Sequence, residues 1–317
     1  MKPPYEITSL ILKYISSISE KIGAVNAKYL VKTNPKLRKQ NQIKTIHSSL
    51  NIEGNTLSVE QVTAIVENKR VVGSQKDITE VLNALDVYKD IKFLQYHSEK
   101  DFLKAHKILM TNLIKNSGKY RTKGVGIVKG SKVEHIAPPY ENVPFLMKDL
   151  FHYLKDKSEI SLIKSCVFHY EMEFIHPFMD GNGRMGRLWQ TLILMQEYSV
   201  FEYLPFETLI SKNQTAYYDS LSISDKEGKS TKFIEYMLNI INQSLSELLE
   251  NSIKKLSHHD RIQIFIEICT EEFTRKDYLT YFKDLSPATA SRDLRKAVEN
   301  GIIVKQGDKK TTTYSKN

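Results

Sequence analysis

The residues with the clearest chemical potential lie in one segment, His176-Pro-Phe-Met-Asp-Gly-Asn-Gly-Arg-Met-Gly-Arg187, between two strongly helical patterns. Pro177 cannot continue a helix regularly, so His176 is expected at a helix C-terminus, where its side chain can project into a pocket. Gly181 and Gly183 permit positive φ angles, and the next helix starts at once. The backbone N–H groups of this turn and of that helix start would therefore point at one spot. The segment predicts a binding site for a polyphosphate.

The same segment also contains fixed charges and a proton acceptor. Arg184 and Arg187 lie three apart on the first helical turn and add two permanent cations with forked donors. Asp180 is a hard oxygen ligand suited to Mg²⁺, which usually takes one or two protein carboxylates, and no third nitrogen or sulfur ligand is near enough in sequence for zinc. His176 can accept a proton near neutral pH. Together these groups indicate in-line phosphoryl or nucleotidyl transfer to a hydroxyl.

This segment matches every position of the pattern His-x-Phe-x-(Asp/Glu)-Gly-Asn-Gly-Arg-x-x-Arg, and through it the chain resembles the Fic family over roughly residues 5–250. The upstream stretch His169–Ile175, the hairpin ending in 135–139 and the pair Tyr217-Tyr218 are similar to family members as well. The resemblance implies a mainly α-helical, Fic-type core with a β-hairpin flap. It also implies auto-inhibited transfer of AMP from ATP to Ser, Thr or Tyr hydroxyls of target proteins, and of the chain itself, with pyrophosphate leaving.

The resemblance assigns a role to individual positions. His176 would be the base that deprotonates the target hydroxyl, and Asp180 would hold Mg²⁺. The nucleotide-binding positions would be Gly181, Asn182, Gly183 and Arg184 at the α- and β-phosphates, Gly186 in the same turn, Arg187 at the γ-phosphate, Tyr217 at the nucleoside, and His135 near the nucleotide. The Asp form of the acidic position goes with transferases that use ATP, and transfer of UMP or another phosphate-linked group is the less favoured alternative.

A second motif, Ser49-Leu-Asn-Ile-Glu53-Gly54, precedes the first and is similar to the family's inhibitory pattern (Ser/Thr)-x-x-x-Glu-(Gly/Asn). Gly54 is a natural stop for a helix over about 42–54. If Glu53 reached Arg187, its carboxylate would form a bidentate pair and remove the γ-phosphate site. Two alternatives stay open: a surface glutamate without such a role, and a Glu53 that also positions water to remove AMP, which would make the enzyme bifunctional.

Helical spacing of apolar residues dominates the chain around these motifs. The predicted helices cover 5–22, 42–52, a stretch from Ser58, 77–96, 99–115, 143–155, 159–175, 183–198, 208–222 and 230–250. Residues 28–42 are basic and polar and are expected to form an exposed connection. Glycines and prolines interrupt 117–144, where Val125–Lys129 and Lys132–Ile136 predict the hairpin. In the family such a flap, here 120–137, pairs with the target segment as an added strand.

The pattern changes near residue 257 to that of a small winged helix-turn-helix domain. A helix over 259–270 is followed by one capped by Thr274 and one with Ser286 as N-cap, and the strands Ile302–Lys305 and Thr311–Tyr314 come last. The third helix, 287–300, is the DNA-reading element of such domains. Residues 254–317 have thirteen Lys or Arg against nine Asp or Glu, a net charge of +4 that is mild for a DNA-binding domain. A packing or protein-binding role is therefore also open, and a DNA-binding regulator with a nucleotide-sensing core is the alternative function.

Composition supports this division. The 317-residue chain has 41% apolar and 26% charged residues, which is typical of a soluble globular protein, and no apolar run approaches the ~20 residues of a membrane span. Three regions are predicted: a helical region over 1–110, a catalytic core over 111–252 and the C-terminal domain over 257–317.

The start lacks a signal peptide, and Cys166 and Cys269 are expected to be reduced core thiols, so a cytoplasmic location is predicted. The net charge of +9 fits an anionic partner such as ATP or DNA, or a solvated lysine-rich surface. The oligomeric state stays open, a homo-oligomer included.

Overall fold

The computed structural model describes residues 2–27, 35–129, 132–254, 257–269, 272–283, 285–308 and 311–316. For residues 27, 35–37, 126–129, 132–136, 251–254 and 267–268 the description covers the backbone only. The chain divides into two compact units, one formed by Met1–Ala24 with Leu37–Ser246 and the other by Val25–Lys36 with Glu247–Asn317. No helix among the described residues is long and apolar enough to cross a membrane.

The chain is mainly helical, as predicted, and a hairpin interrupts the helices. The helices up to residue 254 are α1 (Ser9–Ala27), α2 (Pro35–Ile52), α3 (Val59–Val66), α4 (Gln75–Asp90), α5 (Glu99–Leu109), α6 (Val143–Leu154), α7 (Ser161–Ile175), α8 (Asn182–Met195), α9 (Glu207–Lys212), α10 (Gln214–Glu227) and α11 (Thr231–Lys254). The hairpin consists of β1 (Gly126–Lys129) and β2 (Lys132–Ile136), which pair antiparallel with a bulge between Ile127 and Val128.

The centre of the first unit is the antiparallel pair α7 and α8, whose side chains are buried along almost their whole length. Gly186 of α8 makes this close packing possible, because a Cβ there would lie 2.6 Å from Cδ2 of His169 on α7. Phe102 of α5 packs edge-on against Trp189 of α8 at a centroid distance of 5.0 Å. Each fully buried side chain of this size contributes about 1.5–3 kcal/mol. The rigid pair fixes the two ends of the loop that joins it.

Three predictions about the helices were wrong. Residues 35–42 belong to α2 rather than to an exposed connection, while residues 28–34 lie outside the described ones. The helix expected over 99–115 ends at Leu109, because Asn112 adopts a left-handed conformation with φ 62°. The single helix expected over 208–222 is divided at Asn213, whose side chain accepts a hydrogen bond from the Ala216 N–H and so starts α10.

The second unit contains α12 (His258–Ile268), α13 (Arg275–Tyr281) and α14 (Pro287–Glu299), followed by the antiparallel strands β3 (Ile303–Gln306) and β4 (Thr313–Lys316). Thr274 forms a capping box with Asp277, and Ser286 caps α14. The strands begin one and two residues later than predicted. The order of elements is the one that a winged helix requires, and the winged-helix assignment itself stays a prediction.

Candidate active site

The loop between α7 and α8 starts with an unusual backbone conformation at His176. Its φ of 50° and ψ of 57° are left-handed, which few residues other than glycine adopt. The His176 N–H still donates to the carbonyl of Met172, and Pro177 follows, so α7 ends here as the sequence predicts. The turn directs the chain away from the axis of α7 and leaves the imidazole only partly buried.

Arg121, which is buried, holds this turn through backbone carbonyls. Its Nε donates to the carbonyl of His176 at 2.8 Å, and its Nη2 donates to those of Ile175 and Pro138. Its own N–H donates to the carbonyl of Pro177 at 2.8 Å. The last carbonyls of a helix lack intrahelical donors, and a cation near them is favourable. Arg121 therefore ties the loop between α7 and α8 to the end of the hairpin, a role that no local sequence pattern indicates.

His106 of α5 supports the loop through a hydrogen bond to its backbone. Its Nδ1 accepts from the Gly118 N–H at 2.8 Å, so Nε2 carries the proton and donates to the Asp180 carbonyl at 3.0 Å. Burial lowers the pKa of His106 to about 4, which keeps the ring neutral at neutral pH. The ring stacks on Phe178 at a centroid distance of 3.5 Å. Asn182 braces the same residue, since its side chain accepts from the Phe178 N–H and donates to the Phe178 carbonyl, both at 2.9 Å.

The first turn of α8 lies where the sequence predicts an anion site. Gly181 precedes it with φ 89°, and no side chain caps the N-terminus. The first N–H groups of a helix have no intrahelical partner and attract anions. Nη1 of Arg187 is buried without a hydrogen-bond partner among the described residues, and it lies 3.0 Å from the position that a Cβ on Gly183 would take. A buried, unpaired donor beside a helix N-terminus is suited to a phosphate oxygen.

Glu53 occupies this site. Its Oε1 accepts from Nη2 of Arg187 at 2.7 Å and lies 2.5 Å from the position of a Cβ on Gly183. Burial is the largest single influence and lowers the pKa of Arg187, but Glu53, Tyr217 and Glu173 together raise it. Gly54 adopts φ 90° immediately after Glu53 and ends the helical turn.

The expected bidentate pair between Glu53 and Arg187 was wrong in one respect. Only Nη2 contacts the carboxylate, because Nε donates to Oγ of Ser49 at 3.0 Å and Nη2 is shared with the Ser49 carbonyl at 2.9 Å. The guanidinium is thus held by the last turn of α2 as well as by Glu53. Ser49 and Glu53 both contact Arg187, and Gly54 directly follows Glu53, although the two motifs are far apart in sequence.

Asp180 lies at the open edge of the site with its side chain half exposed. Its Oδ1 accepts from the Gly181 N–H at 2.6 Å and from Nη2 of Arg184 at 2.8 Å. No group of three or more His, Cys, Asp or Glu side chains suited to a metal occurs among the described residues. A single, accessible carboxylate beside a phosphate site nevertheless fits Mg²⁺, which completes its coordination with phosphate oxygens and water.

Comparison with known proteins places this geometry in a family. The model of the Fic/DOC family matches residues 96–194. The crystal structure of a Fic family protein from Desulfovibrio desulfuricans G20 covers 100% of this chain and 98% of that protein, with a TM-score of 0.78 and 38% sequence identity. The chain belongs to the Fic family.

Other Fic proteins match over part of their length. The protein adenylyltransferase fic-1 of Caenorhabditis briggsae is 31% identical over 205 residues, which are 61% of this chain and 38% of that protein. The protein adenylyltransferase Fic of Drosophila mojavensis is 29% identical over 246 residues, which are 73% of this chain and 46% of that protein. The chain thus spans less than half the length of these relatives. A solved segment of Fic-1 from C. elegans shares the fold, with a TM-score of 0.65 at 23% identity.

Tyr217 and His135 are the two residues outside the loop 176–187 and the Glu53 motif that are predicted to lie near the nucleotide. Tyr217 was predicted to border the nucleoside, but its ring is 1% exposed and its hydroxyl donates to Nε2 of His169 at 3.0 Å, so it lies behind the site. Its neighbour Tyr218 is 40% exposed, and the charges of Glu53 and Arg187 reach it. For His135 only the backbone is described, paired with Ile127, and its side chain lies outside the description.

Proposed function

We propose that this chain transfers AMP from ATP to a Ser, Thr or Tyr hydroxyl of a protein, and that Glu53 holds it in an inhibited state. The observation that carries the proposal is the first turn of α8, where an unpaired Nη1 of Arg187 faces a helix N-terminus that the carboxylate of Glu53 fills. An anion site at a helix start, beside a histidine and an accessible aspartate, supports nucleotidyl transfer. The names of the partial-length relatives point to the same activity.

In this scheme the hydroxyl oxygen attacks the α-phosphorus of ATP, the bond from that phosphorus to the bridging oxygen breaks, and pyrophosphate leaves. His176 accepts the hydroxyl proton. The N–H groups of the first turn of α8 and the guanidinium of Arg184 bind the α- and β-phosphates, and Arg187 binds the γ-phosphate. Mg²⁺ held by Asp180 and the phosphates would neutralise the charge that builds up on the leaving group. The contribution of the protein is mainly positioning and charge stabilisation.

The target segment is proposed to pair with the hairpin β1–β2, residues 120–137 forming the flap. Main-chain pairing with an exposed strand gives affinity without requiring one particular sequence. It would hold a hydroxyl in line with the phosphorus, because Arg121 connects the end of the hairpin at Pro138 to His176.

The test is to incubate the purified chain with ATP labelled at the α-phosphate, Mg²⁺ and a cell lysate, and to identify labelled proteins by mass spectrometry. We expect AMP on a hydroxyl of one or a few proteins, with a stronger signal from Glu53→Gly. UTP in place of ATP tests UMP transfer. Return of a purified, AMP-labelled target to its unlabelled form would establish the bifunctional alternative. No transfer by either the parent or Glu53→Gly would contradict the proposal.

A second proposal concerns the C-terminal unit. Arg292 and Arg295 are exposed on α14, the helix that would enter the major groove if the unit is a DNA-binding winged helix. This observation supports DNA binding as an additional function or, without AMP transfer, as the main one. We also propose a cytoplasmic location, which the buried thiol of Cys166 supports.

A further inference from the structure

Glu80 of α4 is a buried carboxylate that the proposed reaction does not use. Its side chain is 4% exposed and joins two residues that are 129 positions apart. Oε1 accepts from Nη1 of Arg184 at 3.0 Å, and Oε2 accepts from Nδ2 of Asn55 at 2.8 Å. A further charged neighbour is the largely exposed Lys76, whose Nζ lies 4.0 Å from Oε1.

The contact with Arg184 holds one end of a guanidinium in the anion site. Arg184 is buried, and its two terminal nitrogens meet different carboxylates: Nη1 meets the buried Glu80, and Nη2 meets the half-exposed Asp180 at 2.8 Å. If Asp180 turns to a magnesium–nucleotide complex, Nη2 is released toward the phosphates while Glu80 retains Nη1. Glu80 thus fixes the orientation of Arg184 from the protein side.

The contact with Asn55 reaches the turn that carries Glu53. Asn55 follows Glu53-Gly54 directly and is 5% exposed. Its Nδ2 also donates to the carbonyl of Asp77 at 3.1 Å, and its Oδ1 accepts from the Leu57 N–H at 3.1 Å. These bonds anchor the end of α2 on α4, so the position of the Glu53 carboxylate depends on the same side chain that orients Arg184.

We propose that Glu80 is a positioning residue with two effects: it orients Arg184 for the nucleotide phosphates, and through Asn55 it seats the turn that places Glu53 on Arg187. This proposal rests on the proposed function. It has a distinctive consequence, because loss of Glu80 should weaken nucleotide binding and at the same time weaken inhibition. Which effect dominates depends on whether Glu53 is present.

Glu80→Gln tests the proposal with almost no change of shape. Nη1 of Arg184 and Nδ2 of Asn55 are both donors, and glutamine offers one acceptor oxygen in place of two, so one of them loses its acceptor. In a Glu53→Gly background, we expect the Kd for ADP and the KM for ATP to rise about tenfold, the scale of one lost charge-assisted hydrogen bond, with kcat changed less than threefold. The variant and the parent are each compared with their own Glu53→Gly version. The ratio of labelling with Glu53 to labelling without it should be higher for Glu80→Gln than for the parent.

Asn55→Ala is the matched control, since it loosens the turn without touching Arg184. It should raise labelling when Glu53 is present and leave the Kd for ADP within twofold in the Glu53→Gly background. Unchanged Kd and KM for Glu80→Gln in that background, or an equal shift for Asn55→Ala, would overturn the proposal. Thermal unfolding checks each variant, and if Glu80→Gln does not fold, Glu80→Asp tests the same directions, because the shorter side chain cannot reach both partners. Calorimetry with ADP needs no turnover, so absent AMP transfer would contradict the proposed function while the Kd comparison still decides the role of Glu80.

Discussion

Oε1 of Glu53 accepts a hydrogen bond from Nη2 of Arg187 at 2.7 Å, although 134 positions separate the two residues in sequence. The same oxygen lies against Gly183 in the first turn of α8. A phosphate oxygen cannot occupy that position at the same time. In the proposed function, the carboxylate and the nucleotide therefore compete for one arginine and one helix N-terminus.

The first prediction is that Glu53→Gly raises self-labelling with AMP at least tenfold. Removing the carboxylate frees Arg187 to orient the γ-phosphate, and lost orientation accounts for several kcal/mol of a reaction barrier. Arg187→Ala should cancel the gain, because both changes act on one phosphate contact. Glu67→Gly is the control, since Glu67 also ends a helix but pairs with the exposed Lys69. Equal labelling by the parent and Glu53→Gly would end the claim of auto-inhibition.

The second prediction concerns the base and the metal ligand. In the Glu53→Gly background, His176→Ala should reduce AMP transfer by about 10²–10⁴-fold, the usual cost of losing a positioned general base. Asp180→Ala should also reduce it strongly, because the proposed Mg²⁺ would lose its protein ligand. Both side chains lie in a loop, so thermal unfolding should stay close to that of the parent. His152→Ala, at an exposed position of α6, provides the matched histidine control. Labelling by His176→Ala at the rate of its background would show that the base is another group.

The third prediction addresses Arg121. Lysine has one ammonium group and cannot span the carbonyls of Ile175, His176 and Pro138 that the guanidinium reaches. Arg121→Lys should therefore lower kcat at least tenfold with little change in the KM for ATP, because the histidine is misplaced while the phosphate site is intact. The steady-state parameters in the Glu53→Gly background decide this. A shift in KM alone would place the effect of Arg121 at the nucleotide instead.

The fourth prediction is a pH dependence of stability from His106. Burial lowers the pKa of His106 to about 4 from an ordinary value near 6.5, so below pH 6.5 the unfolded chain takes up a proton that the folded chain does not. The free energy of unfolding should therefore fall by about 3 kcal/mol from this residue as the pH drops from about 6.5 to about 4. His169, whose pKa burial lowers to about 3, acts in the same direction.

Glu207 acts in the opposite direction, so the parent curve alone does not isolate this effect. Burial raises the pKa of Glu207 to about 8, and its contribution to stability falls as the pH rises from about 4.5 to about 8. The measurement is urea unfolding between pH 4 and 8 for the parent and His106→Gln. His106→Gln should flatten the acid side of the curve. Parallel curves for the parent and His106→Gln would contradict the prediction.

The fifth prediction tests the C-terminal unit as a DNA-binding module. If α14 binds DNA, Arg292→Ala with Arg295→Ala should weaken binding and reduce its salt dependence by about one unit of slope for each lost phosphate contact. Deleting residues 257–317 should leave AMP transfer largely unchanged. Absence of DNA affinity at low salt, measured by fluorescence anisotropy, would assign the unit a packing or partner-binding role.

The sequence predicts those parts of the site whose functional residues are close together in the chain. The loop from His176 to Arg187 and its flanking helices could be located because proline ends the first helix and glycine permits the turn. The charged residues are also close together in sequence. The partner of Arg187 was found for a different reason: a short motif ends in Glu53-Gly54, and glycine marks the end of its helix.

The rest could not be predicted because the contacts join distant residues or backbone atoms. The start of α2 was missed since residues 35–42 are basic and polar, and the buried Asn41 among them gives no apolar periodicity. Arg121 bonds to carbonyls, which every residue has, so its partners leave no trace in sequence. His106 and Glu80 belong to helices whose ordinary amphipathic pattern does not distinguish a supporting side chain from a solvated one.

The contact between Glu53 and Arg187 lies within one chain, and this sets its response to concentration. Dilution of the protein does not weaken it, since the carboxylate has a fixed effective concentration at the arginine. The competing ligand is free in solution, and the apparent Kd for a nucleotide whose γ-phosphate needs Arg187 rises in inverse proportion to the fraction of molecules in which Glu53 has left. The apparent Kd of a nucleotide without a γ-phosphate rises less, because that nucleotide does not need Arg187. The ratio of nucleoside triphosphate to diphosphate, rather than the protein concentration, would then set the fraction of sites that hold a substrate able to react.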